Sequence, residues 1–111
     1  MATQRTIDVG TVPVQVLPAN PRRKSWYVQF LSFGQDSGNT GRIFVARGFR
    51  PVATENHPSQ GQPVTTGGNA GDNINNVLPK CPYLGDIWVV AENASQTIEI
   101  FESDVEDEKP Q

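Results

Sequence analysis

The chain has 111 residues and a formal charge of -3, enough for one domain and too short to bury a second core. Hydrophobic residues make up 36% of it, with ten glycines and nine prolines, a mixture that favours short strands joined by turns over packed helices. Five of the twelve acidic residues are Glu102, Asp104, Glu106, Asp107 and Glu108, and residues 1–101 hold eight cations against seven anions. The body is therefore nearly neutral, without the basic footprint of a nucleic-acid binder.

A single cysteine, Cys81, excludes an intramolecular disulfide and reads as a small, partly buried apolar residue between Pro79 and Pro82. The N-terminal "MATQRTIDVG" lacks the apolar run of a signal peptide. No segment approaches the roughly 20 apolar residues of a membrane span. The expectation is a soluble chain made in the cytoplasm, with no membrane partner.

No window of a dozen residues carries helical periodicity uninterrupted by glycine or proline, whereas strand alternation recurs along the chain. Ile7 and Val9 alternate in "RTIDV". Val12, Val14 and Val16 alternate in "VPVQV", where Pro13 fits only an edge or a position outside the hydrogen-bond ladder. Asn20-Pro21 signals a turn. "KSWYVQFLSF" then places Trp26, Val28 and Phe30 on one face and Tyr27, Gln29 and Leu31 on the other, which predicts a strand covered on both faces, the second by the chain itself or by a neighbouring subunit.

"GRIFVAR" (41–47) follows the turn cluster "GQDSGNTG" and reads as a strand. Residues 54–73 read as a long polar loop with at most one short strand around Val64, and "NINNVL" is a further candidate strand. "DIWVVAE" (86–92) and "QTIEIFE" (96–102), joined by "NAS", predict a hairpin. The expected fold is all-β: a single antiparallel β-sandwich or barrel, jelly-roll-like, of six to eight short strands. An N-terminal arm (1–11) precedes the sandwich domain (12–102), and an acidic, loosely attached tail (103–111) follows it.

Chemistry-bearing motifs are sparse. His57 is the sole histidine and lies in a polar stretch with no second ligand at metal-binding spacing and no nucleophile motif. Asp36, Asp72 and Asp86 are carboxylates that nothing in the sequence brings together. "TTGGNAGDN" has neither the GK[ST] of a P-loop nor a strand-to-helix context, and Asn93-Ala94-Ser95 matches a glycosylation acceptor of the kind that arises often by chance. No catalysis, metal or cofactor is expected. The triplet Arg22, Arg23 and Lys24 at the exit of the Asn20-Pro21 turn suits either a gatekeeper role beside an aggregation-prone strand or contact with a carboxylate-rich protein. Trp26 and Trp88 belong to apolar strands, so Phe49 and Tyr83, in turn-rich contexts, are the better candidates for an exposed ligand surface.

The run Leu17-Pro18-Ala19-Asn20-Pro21 with Arg23-Lys24 and Val28-Gln29, followed by a glycine-rich turn, "RIFVARG" and a closing "GDIWVVAENASQTIEIFE", resembles a group of small all-β virion proteins of tailed bacteriophages. The resemblance covers most of residues 12–102. The chain departs from the group's pattern at Phe30, where asparagine is usual, and in the length of the 54–73 segment. The resemblance implies a capsid decoration (cement) or head-fibre protein that binds the major capsid protein on the virion surface, usually as a homotrimer, and stabilises the head without catalysis or nucleic-acid binding. On that reading Ile7 and Val9 of the arm, the triplet Arg22, Arg23 and Lys24, and Tyr27 are the capsid or subunit contacts. The alternative is a carbohydrate- or receptor-binding module of a tail or fibre, with Phe49 and Tyr83 in its ligand surface.

Overall fold

Prolines, glycines and the Asn20-Pro21 turn divide the chain into short extended segments whose alternating apolar residues need a common interior, and they find it by pairing as strands. The computed structural model describes residues 2–31, 41–53, 60–65, 67–73 and 82–104. Its strands are β1 (Ala2–Val9), β2 (Val14–Leu17), β3 (Arg23–Phe30), β4 (Arg42–Arg47), β5 (Gln62–Thr65), β6 (Asn69–Asn73), β7 (Ile87–Ala91) and β8 (Gln96–Asp104).

They form two four-stranded antiparallel sheets, ordered β1-β8-β3-β6 and β2-β7-β4-β5. The pairings β4–β5, β3–β6, β2–β7 and β1–β8 match each strand of the first half with its mirror image in the second. The topology is thus one long hairpin rolled up on itself, and β3–β8 and β4–β7 close the roll into two sheets. This is the jelly-roll arrangement, an all-β antiparallel sandwich as the alternation predicts.

The core is one contiguous cluster between the sheets. Val9, Trp26, Val28, Phe30, Ile98 and Ile100 line it from one side and Val16, Ile43, Val45, Val64, Ile87 and Val89 from the other. On β3, β4, β7 and β8 every second residue reaches it, as a period of two requires, whereas on β2 the consecutive Val16 and Leu17 do so beside a bulge, and Val12 and Val14, expected on the same face as Val16, are exposed. Coverage on both faces is found on β4, whereas on β3 the outward Tyr27 and Gln29 are only half-buried: Phe44 and Ala46 point away from Ile43 and Val45, yet are 0% and 1% exposed, and Val90 beside Phe44 is buried with them. Arg42 lays its guanidinium 5.3 Å over the Phe44 ring on that outer face.

Three expectations are corrected. The arms 86–92 and 96–102 do not pair as a hairpin, because β7 and β8 lie in opposite sheets and "NAS" spans the sandwich, with Ser95 at φ 60° making the bend. Alternation marks which face of a strand is buried but not which neighbour it bonds, and two strands facing each other across a core alternate just as two strands side by side do. The 54–73 segment contains β5 and β6. Of these, β6 (Asn69–Asn73) is polar because only Ala70 reaches the core cluster, so it carries no hydrophobic signal. Residues 2–9 are not a free arm: β1 runs the length of β8 from Ala2↔Ser103 to Val9↔Gln96, with Ile7 half-buried against the core and Val9 buried in it. Within "NINNVL" only Asn73 is described, as the end of β6. Residues 105–111 of the tail lie outside the described residues, and Ser103 and Asp104 end β8.

Candidate functional site: the loop end of the sandwich

The turn leading into β3 is built around Asn20. Its carbonyl accepts the Arg23 N–H at 3.2 Å and its side-chain oxygen accepts the Arg22 N–H at 3.0 Å, with Pro21 supplying the fixed φ of the first corner. Asn20 also ties the turn down on two sides, its N–H donating to Leu84 O and its Nδ2 to Asp104 Oδ1, each at 2.7 Å. A bulge follows: Arg23 pairs with Asp104 and Ser25 with Ser103, so Lys24 is the extra residue and the alternation is reset.

That reset sends the three cations to different places. Arg22 and Lys24 are exposed, whereas Arg23 is buried. The Arg23 guanidinium donates from Nε to Glu102 Oε2 at 2.7 Å, from Nη1 to Tyr83 O and Gly85 O at 2.7 and 2.8 Å, and from Nη2 to Pro18 O at 2.8 Å. One planar fork thereby joins β8, the 82–86 segment and the residues after β2. A contact role for Arg23 is excluded by this burial, and the specific "LPANPRRK" run is explained as a structural staple.

A second hub lies beside it. Asp72 Oδ2 accepts the Trp26 indole N–H at 3.1 Å and the Tyr83 N–H at 3.0 Å, while Oδ1 accepts from Arg47 Nη2 at 3.3 Å. Arg47 also lies 5.0 Å over the Trp26 ring. Partial burial pushes the Asp72 carboxyl up, but the hydrogen bonds from Tyr83, Arg47 and Trp26 outweigh it and hold the group below its ordinary range. No buried side-chain nitrogen or oxygen among the described residues lacks a partner.

Tyr83 and Phe49 come from neighbouring loops, since Gly48 N–H donates to Asp86 O at 2.9 Å. Tyr83 is half-buried and packed on the core. Its ring lies across Gly48, at φ 89°, and Gly85: a Cβ on either would strike the tyrosine hydroxyl, and one on Gly85 would stand 2.9 Å from Cε2. Tyr83 is thus a wedge between two loops, while Phe49 is 41% exposed. Arg50, exposed in sequence beside it, sits 5.6 Å over Trp88.

The structure therefore brings to one end of the sandwich two sets that the sequence treats as alternatives, the basic turn and the Phe49–Tyr83 loops. Among the described residues the acidic groups at that end are engaged within the protein: Glu102 by Arg23, Asp104 by Asn20, Asp72 by Arg47 and Asp86 by the Trp88 indole. Exposed among the described residues there are Arg22, Lys24, Phe49 and Arg50, on loops tied down by Arg23 and Asp72. Sequence reasoning leaves Arg47, Arg50 and the Asp72 hub unmarked, and the Asn-Pro-x-Arg spacing is the one local signal of the staple. Asp36, His57 and Cys81 lie outside the described residues. Among the described residues no group of three His, Cys, Asp or Glu side chains is placed to hold a metal ion.

Tyr27 stands elsewhere, on the outward face of the β1-β8-β3-β6 sheet. It stacks on Phe101, its cross-strand neighbour, with ring centroids 5.0 Å apart and planes 11° from parallel, and its hydroxyl donates to Glu99 Oε1 at 3.0 Å. Burial, then the Glu99 carboxylate, raises the phenol above its usual pKa, so the hydroxyl remains a donor through neutral pH. No family model matches this chain, and neither a curated protein nor a solved structure matches it.

Proposed function

We propose that the protein is a structural virion component that docks on the outer surface of a bacteriophage capsid as a homotrimer and stabilises or decorates the head. The observation that carries this reading is the loop end, where Arg22, Lys24, Arg50 and Phe49 are displayed on turns already held rigid by the Arg23 and Asp72 hubs. A cationic tip that also carries an exposed aromatic ring is suited to an acidic protein surface, because steering comes from the charges and residence from the ring. The buried polar groups are committed to joining strands and loops, which fits a load-carrying part. Three copies on a repeating lattice turn weak single contacts into tight attachment.

The test has two parts. Light scattering coupled to size exclusion should give a mass of about three chains, and the purified chain should co-sediment with capsid shells lacking it, with repeated extra density on the lattice. The R22E/K24E variant should keep its fold and lose co-sedimentation. A stable monomer overturns the trimer, and co-sedimentation unaffected by R22E/K24E overturns the docking surface.

A further inference from the structure

The outward face of the β1-β8-β3-β6 sheet carries a second, separate arrangement. Across three strands Phe101, Tyr27 and Gly71 lie in one row, and Glu99, Gln29 and Asn69 in the next. Phe101 covers one side of the Tyr27 ring. On the opposite strand the cross-strand partner of Tyr27 is Gly71 of β6, the last strand of the sheet. No side chain can stand at 71, because a Cβ there would lie 2.7 Å from the Cα and 2.8 Å from the Cβ of Tyr27. The close approach that makes glycine obligatory thus leaves Tyr27, half-buried, with no side chain at its cross-strand position on β6.

The adjoining row supplies a carboxylate and two amides, groups that donate to and accept from hydroxyls. Glu99 is oriented by the Tyr27 hydroxyl on Oε1, and Oε2 is an acceptor beside the ring. Among its described residues this face holds Asp8 and Glu99, with the exposed Lys24 at the β3 bulge at its end, a net negative balance that opposes phosphate, sulfate and sialic acid. A half-buried aromatic ring with only glycine on its β6 side, a row of amide and carboxylate groups and a net negative balance together describe a site for a polar but uncharged ligand with one apolar side.

We propose that Tyr27, Gly71, Glu99, Gln29 and Asn69 form a binding site for a neutral saccharide, a pyranose unit resting its C–H face on the Tyr27 ring with its hydroxyls on the neighbouring polar row. The site is distinct from the loop end and goes beyond the capsid-docking reading. It equips a decorating subunit to hold surface glycans.

The experiment applies the purified full chain to an array of neutral, N-acetylated and sialylated glycans, followed by titration of the strongest neutral binder. Neutral saccharides should bind and sialylated ones should not. Tyr27→Ala should weaken binding about tenfold or more, as expected for loss of one stacking contact with its attendant hydrogen bonds. Tyr27→Phe should retain most of it, and the exposed Asn69→Ala, which leaves the fold intact, should weaken it measurably. R22E/K24E should bind glycans as the parent does, so this site and the docking tip fail independently. Absence of binding to any neutral glycan overturns the assignment, as does full binding by Asn69→Ala and Tyr27→Ala together. Dissociation of the oligomer by Tyr27→Ala or Asn69→Ala also overturns it, because the face would then be an interface between copies.

Discussion

Arg23 Nε meets Glu102 Oε2 at 2.7 Å with none of the arginine side chain and 14% of the glutamate side chain exposed. A guanidinium withdrawn this far is stable only because its other donors reach the carbonyls of Pro18, Tyr83 and Gly85. Removing the partner set of a buried charge costs about 3–5 kcal/mol. Arg23→Lys keeps the charge but reaches few of four acceptors held in a fork, so a loss of about 3 kcal/mol is expected in urea denaturation. Arg22→Ala, one residue away and exposed, should change stability by no more than about 0.5 kcal/mol. Equal effects of the two substitutions would contradict the staple.

The Asp72 hub makes stability pH-dependent in a stated direction. A carboxyl whose folded pKa lies below its unfolded value stabilises the fold fully above the unfolded value, about 4, and the contribution is lost as pH falls through the lowered folded value. Asp72→Asn keeps the shape but accepts fewer and weaker hydrogen bonds, at a cost of about 1–3 kcal/mol near neutrality. The measurement is the denaturation free energy at about pH 6.5 and about pH 3. The parent should lose more stability between the two than Asp72→Asn does, and parallel losses would place the acid sensitivity elsewhere, for example at Glu92. That carboxyl is also held low, first by the hydrogen bond from the Arg42 side chain.

Deleting residues 1–9 should damage the body of the protein and not merely an attachment. The segment supplies β1, whose ladder with β8 runs over eight residue pairs, and it buries Val9 and part of Ile7 in the core. Those two side chains alone are worth about 3 kcal/mol or more of apolar burial, and their loss would uncover Ile98 and Ile100 on β8. The truncated chain should show a lower melting temperature and a broadened transition by circular dichroism. A deletion variant that melts like the parent would restore the N-terminus to the status of a free arm.

The legible part of this fold is the part written in alternation. β3, β4, β7 and β8 place core residues at spacing two, and Trp26, Val28 and Phe30 announce a core face, whereas the alternation of Val12, Val14 and Val16 does not survive the bulge on β2. β6 was not legible because a strand at the rim of a sheet contributes one small side chain, Ala70, to the interior and otherwise satisfies its backbone with polar residues. The partners of β7 and β8 are not legible, because pattern does not encode partner. At the site, the triplet Arg22-Arg23-Lys24 is visible as charge, but its division into one buried and two exposed cations depends on a bulge and on carbonyls some 60 residues away. The stacking of Tyr27 on Phe101 rests on the β3–β8 register, which no local feature of either segment specifies.

Gly71 offers the sharpest local test of that register. It lies opposite Tyr27 on β6, and an alanine there would drive its methyl into Tyr27 Cα and Cβ and the Trp26 carbonyl. Backbone cannot yield as a flexible side chain does, so β6 must move off β3. Overpacking of this kind costs about 1–3 kcal/mol, and moving β6 would also strain the Asp72 bonds to Trp26 and Tyr83 one residue along. Gly71→Ala is therefore expected to lower the denaturation midpoint and to blunt the pH dependence assigned to Asp72. Asn69→Ala, exposed two residues earlier on the same strand, should stay within about 0.5 kcal/mol of the parent. If Gly71→Ala is as stable as Asn69→Ala, β6 does not approach β3 in this register, and the glycine position opposite Tyr27 loses its structural basis along with it.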